Sequence, residues 1–261
     1  MRVQIPLMAL FCDLMKKQVK NLLIKHNAKN LRELSEKLNI SYTKIKNWSC
    51  GRTKFGSKGK YKIVKIPEIL NNDIAELVGI ILGDGNLNRK NIRIVGNRNE
   101  YIYYLYLKSL FQKVFDVDSV VGHDTKNSIK LTVYSVKISQ YLISLGLKKG
   151  DKIKNKVVIP KWIFENKNYT KSCLRGLFDT DGSIFTSSNN TEYNILWKMG
   201  VGSLLPQYIR KALLELNFHP TKIFSNGRKV SLCRKNEIIR FFNEIKPRNN
   251  IHLMRYRNYL Q

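Results

Sequence analysis

The sequence predicts an α+β chain in which a small all-helical head precedes two copies of an αββαββα unit. Three observations carry this expectation. Apolar residues keep helical spacing through 16–52, and a stretch rich in Gly, Ser and Lys follows them. Beyond residue 70 one order of helix and strand patterns occurs twice, each copy opening on an apolar helix that ends in Asp-Gly. Hydrophobic residues make up 43% of the 261 and aromatic residues 10%, enough to build packed cores, which excludes intrinsic disorder. No apolar run approaches the roughly 20 residues that span a bilayer. The N-terminal run from Ile5 to Cys12 contains Pro6 and ends at Asp13.

Residues 1–15 have one Arg and no small-residue cleavage site, so they read as a peripheral helix rather than a secretory signal, with Met15 a second candidate start. In the head, Leu31, Leu34, Leu38, Ile40, Ile45 and Trp48 follow helical spacing interrupted by one tight turn. Asn39 suits the left-handed end of the first helix, and Ser41 suits the N-cap of the second. The pair resembles a helix-turn-helix of the phage-repressor type. That resemblance places the second helix in a DNA major groove, with Tyr42, Thr43, Lys44, Lys46 and Asn47 exposed and Ile45 and Trp48 facing inward. The alternative is a plain helical hairpin with a solvated basic face. The head is read as 1–55, with Arg52 a further DNA contact, and 56–70 as a basic linker broken by Gly56, Ser57 and Gly59 and ending near Pro67.

The repeat takes the first half as 71–168 and the second as 169–261. The opening helices are Leu77 to Gly85 and Leu174 to Gly182. Strand patterns follow at Asn91 to Val95, at Ser183 to Thr186 and at Ile195 to Lys198. Amphipathic helices come next, Glu100 to Phe115 and Leu204 to Asn217. Strands near Ser119 to Val121 and Ile129 to Tyr134 match others near Lys222 to Phe224 and Lys229 to Cys233. A closing helix ends each unit, Val136 to Leu145 and Lys235 to Ile245.

Charge narrows the partner. The chain holds 47 Lys and Arg against 19 Asp and Glu, a formal charge of +28, distributed as +12 before residue 71, +7 over 71–170 and +9 beyond. An excess spread along the whole length fits a polyanion contacted over a long path, and duplex nucleic acid is the usual one. A basic ribosome-associated protein is the bland alternative. Cys12, Cys50, Cys173 and Cys233 are far apart, with no Cys-x-x-Cys pair, so they read as reduced thiols of a cytosolic protein rather than a zinc site.

Asp84 and Asp181 stand at the C-terminal ends of apolar helices, where the helix dipole opposes a carboxylate by roughly 0.3–1 kcal/mol. The disfavoured residue recurs at the equivalent place, so something compensates it. Small residues four apart, Gly79 with Gly83 and Gly176 with Thr180, let two helices pack backbone to backbone. Crossed in that way, the helices bring both carboxylates to one edge, a hard all-oxygen site suited to Mg²⁺.

These segments resemble the LAGLIDADG motif of homing endonucleases, with Gly79, Asp84 and Gly85 in one copy and Gly176, Asp179, Asp181 and Gly182 in the other. Ile159-Pro-Lys-Trp-Ile163 is similar to the family's approach to its second motif. The match covers about Asn71 to Ile245, and two copies imply the single-chain, pseudo-symmetric, monomeric form, whose antiparallel sheets make a saddle over DNA. The resemblance implies that Asp84 and Asp181 bind Mg²⁺, with Mn²⁺ a substitute, and that one phosphodiester per strand is hydrolysed. It adds the carbonyls of Gly83 and Thr180 as further ligands. It also implies a basic residue after the second strand of each half: Arg98 in the first, and Lys198 beside the matching position near Gly200 in the second. Leu82 replaces the first motif Asp of the first copy. Saddle contacts are expected from Arg89, Lys90, Arg93, Lys126 and Lys130 in one half and from Arg228 and Lys229 in the other. Along the first sheet, Asn91, Arg93 and Val95 share a face opposite Ile92 and Ile94. The expected protein is a site-specific, double-strand DNA endonuclease in the cytoplasm or an organelle. A non-cleaving DNA-binding regulator and an intron-RNA maturase on the same fold are the alternatives.

Overall fold

The computed structural model describes residues 7–50, 64–123, 125, 127–186, 193–198, 203–223 and 227–260. Most of the expected linker, Arg52, Lys126 and Gly200 lie outside them. The chain divides into two compact units, Met1–Tyr61 and Lys62–Gln261.

The first unit is all helical: α1 (Leu7–Lys25), α2 (Leu31–Lys37) and α3 (Tyr42–Ser49). Asn30 caps α2 by accepting from the amides of Arg32 and Glu33 at 3.0 and 2.9 Å. Asn39 takes the left-handed conformation (φ 51°) that turns the chain into α3. Ser41 sits at the N-cap of α3, but its hydroxyl makes no capping bond. Its carbonyl oxygen instead accepts from the amides of Lys44 and Ile45. Val19, Leu34, Ile45 and Trp48 form the buried core of this unit. Tyr42, Thr43 and Lys46 are exposed, and Lys44 and Asn47 are half-buried. The Lys44 ammonium lies 5.4 Å from the Trp48 ring centroid, so part of that helix face is tied to the core aromatic.

The second unit is α+β with antiparallel sheets. Its first half runs α4 (Asn72–Leu82), β1 (Gly85–Leu87), β2 (Asn91–Asn97), α5 (Tyr101–Phe115), β3 (Val120–His123), β4 (Ser128–Tyr134) and α6 (Val136–Ser144). Its sheet has the order β1-β2-β4-β3. The second half runs α7 (Lys167–Asp181), β5 (Gly182–Thr186), β6 (Tyr193–Lys198), α8 (Leu205–Glu215), β7 (Lys229–Leu232) and α9 (Lys235–Ile245). Among the described residues its sheet has three strands, β5-β6-β7.

Three features depart from the sequence reading. β1 begins directly at Gly85, in a segment the reading left without a strand. Lys222 and Ile223 are not strand; just before them Thr221 touches β7, its amide donating to Ser231 O at 2.9 Å. An eleven-residue helix beyond the repeat, α10 (Asn250–Leu260), was not anticipated.

Alternation sorts the faces. On β2 and β4 the side chains of Ile92, Ile94, Ile129, Leu131 and Val133 enter the core, while Arg93 and Lys130 lie on the opposite face. Register places Arg93 between Asn86 and Thr132, and Lys130 between Val95 and Gly122. In the second sheet Ile184, Ile195, Val230 and Leu232 are the inward set, and Lys198 pairs with Lys229.

The centre of the unit is the crossing of α4 and α7. A Cβ added at Gly79 would overlap the Cys173 carbonyl, and one at Gly176 would overlap the Glu76 carbonyl, so the two backbones touch where neither has a side chain. Buried Glu76 secures the crossing. It accepts from Arg175 Nη1 at 2.7 Å and from the Tyr106 hydroxyl at 2.5 Å, and pairs with Arg248 Nε at 3.3 Å. A carboxylate this deep is tolerated because cations and a hydroxyl replace its water.

Candidate active site

The crossing carries the two motif aspartates to one place. α4 ends at Leu82, Gly83 follows, and Asp84 opens the turn into β1; Asp181 is the last residue of α7. The motif glycines do not serve as left-handed caps here. A Cβ on Gly85 would stand 2.5 Å from Ile81 Cα, and one on Gly182 would stand 2.6 Å from Phe178 O, so each lets the chain fold back against its own helix. Gly83 lies against the side chain of Thr180, whose hydroxyl donates to Gly176 O at 2.8 Å, and a Cβ on Gly83 would fall 3.2 Å from Asp181 Oδ2.

Asp84 and Asp181 line one cavity of about 420 Å³ with Gly83, Asn86, Asp151, Lys152 and Ser203. Burial first, then the Asp181 and Glu100 charges, push the Asp84 carboxyl up to about 8, against the pull of Lys152. Burial raises Asp181 as well, and Lys152 again opposes it. A like charge nearby and burial both disfavour the ionised carboxyl.

Lys152 is the site residue that sequence reasoning missed. Its ammonium donates to the carbonyl oxygen of Gly83, and both aspartates act on it electrostatically. Burial lowers its pKa and the carboxylates raise it. It reaches the site from the loop after α6, 68 positions beyond Asp84, and the signal available was a lysine within Gly150-Asp-Lys152. Of the two basic residues expected at the scissile phosphate, Arg98 is not among the described residues that line the cavity, and the side chain of Lys198 lies outside the described residues. Arg98 is exposed at the start of a 3₁₀ turn, its amide donating to Asn127 O at 3.1 Å. Arg89 and Lys90 are exposed in the β1–β2 turn, and Arg228 and Lys229 are half-buried at the start of β7.

Asp179, the other motif aspartate, is fully buried and faces away from the cavity. It accepts from the amides of Arg248 and Asn249 at 3.0 Å and so receives the start of α10. Burial pushes its carboxyl up to about 7 despite those two amides. The equivalent position in the first half, Leu82, has no such helix to hold.

The donor set fits a divalent cation. Two carboxylates and the Gly83 carbonyl converge on one cavity, Lys152 alone opposes the rise in the aspartates' pKa values, and its Nζ lies against a candidate ligand oxygen. Among the described residues no cluster of three His, Cys, Asp or Glu forms, so the remaining ligands would be carbonyls and water.

No family model matches the chain. Among solved structures the class it is similar to is the LAGLIDADG domain. It resembles the N-terminal LAGLIDADG domain of DUF199/WhiA at TM-score 0.49 and 19% identity, over 72% of this chain and 89% of that one. It also resembles I-DmoI in complex with DNA and Mn, at TM-score 0.46 and 20% identity, over 67% and 96%. Among curated proteins it is 30% identical over 182 residues to the ribonucleoside-diphosphate reductase NrdEB subunit alpha of Bacillus subtilis (strain 168), and equally to that of Bacillus phage SPbeta. That match takes in 60% of this chain and 15% of each relative. No described helix is long and apolar enough to cross a membrane.

Proposed function

We propose that the chain is a metal-dependent, site-specific DNA endonuclease that hydrolyses one phosphodiester per strand. The observation that carries this reading is the convergence of Asp84 and Asp181 on one cavity, at the end of two helices whose glycines let their backbones touch. Asp84, Asp181 and the Gly83 carbonyl would hold Mg²⁺ or Mn²⁺. When bound, such ions stabilise the attacking and leaving oxygens of an in-line displacement. Lys152 offers a positive donor at the wall of the same cavity, where it offsets phosphate charge. Asn86, Arg93 and Lys130, on the face of the first sheet opposite its core, would read or grip a duplex, with Lys229 in the second. Tyr42, Thr43, Lys44, Lys46 and Asn47 of the head would add a second contact, along with Arg52.

The experiment is cleavage of a duplex spanning the uninterrupted allele of the locus that carries the gene, with and without Mg²⁺. Cleavage that needs the metal and disappears in Asp84→Asn and in Asp181→Asn, while binding persists, is the expected result. Intact cutting by either variant removes the catalytic assignment.

Lys152 favours a second reading, a DNA-binding protein that does not cut. An ammonium against Gly83 O neutralises the carboxylates without a metal, and such a protein would bind its target equally well in a chelator. On the first reading Lys152→Met loses cleavage and keeps target binding; on the second it weakens the α4–α7 crossing and lowers the melting temperature.

A further inference from the structure

The start of α10 stands at the seam between the two halves, against Asp179 of α7 and Glu100 of the first half, and nothing in the chemistry above uses it. Asn249 is fully buried there, and all of its side-chain polar groups have partners. Its Oδ1 accepts from Ile251 N at 3.1 Å, the bond of a helix N-cap. Its amide nitrogen reaches both halves at once, donating to Asp179 O at 2.8 Å on α7 and to Glu100 Oε1 at 2.9 Å in the first half. The other oxygen of Glu100 accepts from Asn97 N at 2.9 Å, so that carboxylate is held from two sides at the exit of β2. Asp179 lies two residues before Asp181, and Glu100 is near enough to Asp84 for its charge to act on it. One primary amide therefore bridges the segment that positions one aspartate to the segment that faces the other.

We propose that Asn249 is a positioning residue that fixes Asp84 and Asp181 in register by tying the first half to α7 through its two amide hydrogens. The proposal rests on the endonuclease reading for its catalytic consequence but not for its structural one. An amide suits the task because it offers two donors to two acceptors and an oxygen for the cap, a combination no other side chain of its size provides.

The test uses the full-length chain and two variants. Asn249→Asp keeps a good N-cap acceptor but sets a carboxylate against Glu100 and the Asp179 carbonyl. Asn249→Asp with Glu100→Gln restores a donor from the opposite side. If the wild type cleaves, Asn249→Asp is expected to lower kcat about tenfold to a hundredfold with DNA affinity kept within about twofold, since a misplacement near 1 Å costs about that much. The double variant recovers most of the loss. Wild-type rates in Asn249→Asp overturn the proposal while leaving the endonuclease reading intact. If the wild type cuts nothing, that reading fails, and the proposal is decided by amide hydrogen exchange at Gly83 to Gly85 and by Mn²⁺ titration followed by electron paramagnetic resonance. Faster exchange and weaker Mn²⁺ uptake in Asn249→Asp, both restored in the double variant, uphold it. Exchange unchanged from the wild type overturns it.

Discussion

At the scale of single residues, the Asp84 carboxyl makes folding depend on pH in a way that can be isolated. Its ordinary pKa is near 4, and burial with the Asp181 charge pushes it to about 8 in the folded chain. The folded state therefore keeps a proton that the unfolded chain releases. The stability this group contributes is complete below about pH 4 and is lost as pH rises toward 8. Asp179, pushed to about 7, and Asp181, also raised, work in the same sense, and buried His252, lowered to about 4, works in the opposite one between about pH 4 and 6.5, so the bare melting curve mixes all of these. Subtraction separates them. In metal-free buffer Asp84→Asn should melt above the wild type by a margin that grows from pH 5 to pH 8, about 3 °C for each kcal/mol recovered. Mg²⁺ should close that margin by raising the wild type alone, since a bound cation relieves the same repulsion. A margin independent of pH would mean that Asp84 ionises without penalty and that no cation is needed beside it.

At the scale of elements, the glycines of α4 and α7 decide whether the halves can meet. Gly176→Ala drives a Cβ into the Glu76 carbonyl, a backbone atom that cannot rotate aside, and should cost about 3 kcal/mol in urea unfolding. Gly122→Ala is the matched control, because nothing lies within 4 Å of a Cβ there, and it should change stability by less than about 0.5 kcal/mol. Equal effects of the two would contradict a backbone-to-backbone crossing. That crossing was legible in the sequence, since small residues four apart beside Asp-Gly recur in both copies, and so were the alternating face of β2 and the left-handed turn at Asn39. β1 was not, because three residues leaving a helix directly give alternation too little length to register. Nor was α10, whose apolar residues Ile251, Leu253, Met254 and Tyr256 form no clean stripe. Lys152 and Asn249 escaped for a different reason: one comes from a loop and the other from beyond the repeat, and only the folded chain places them beside the motif aspartates.

For the whole molecule, the charge of +28 is a statement about binding that salt can test. Each phosphate neutralised by Lys or Arg releases condensed counterions, so log affinity for duplex DNA falls with log salt at about −0.9 per contact. Ten contacts, a modest share of 47 basic residues, give a slope of about −9. The slope should divide between the units. Lys46→Ala on the exposed face of α3 removes one contact and should reduce it by about 1, weakening all sequences alike. Arg93→Ala, between Asn86 and Thr132 on the sheet face opposite the core, should instead narrow the gap between target and random duplex by about 1–3 kcal/mol. Titrations of both variants against a target and a scrambled duplex at several salt concentrations separate the two kinds of contact. If Lys46→Ala leaves the slope unchanged, the head does not touch the backbone and its charge is only solvated. Should the wild type itself show a slope near zero, the excess of basic residues is not a nucleic-acid footprint, and the carboxylate pair would need a substrate of another kind.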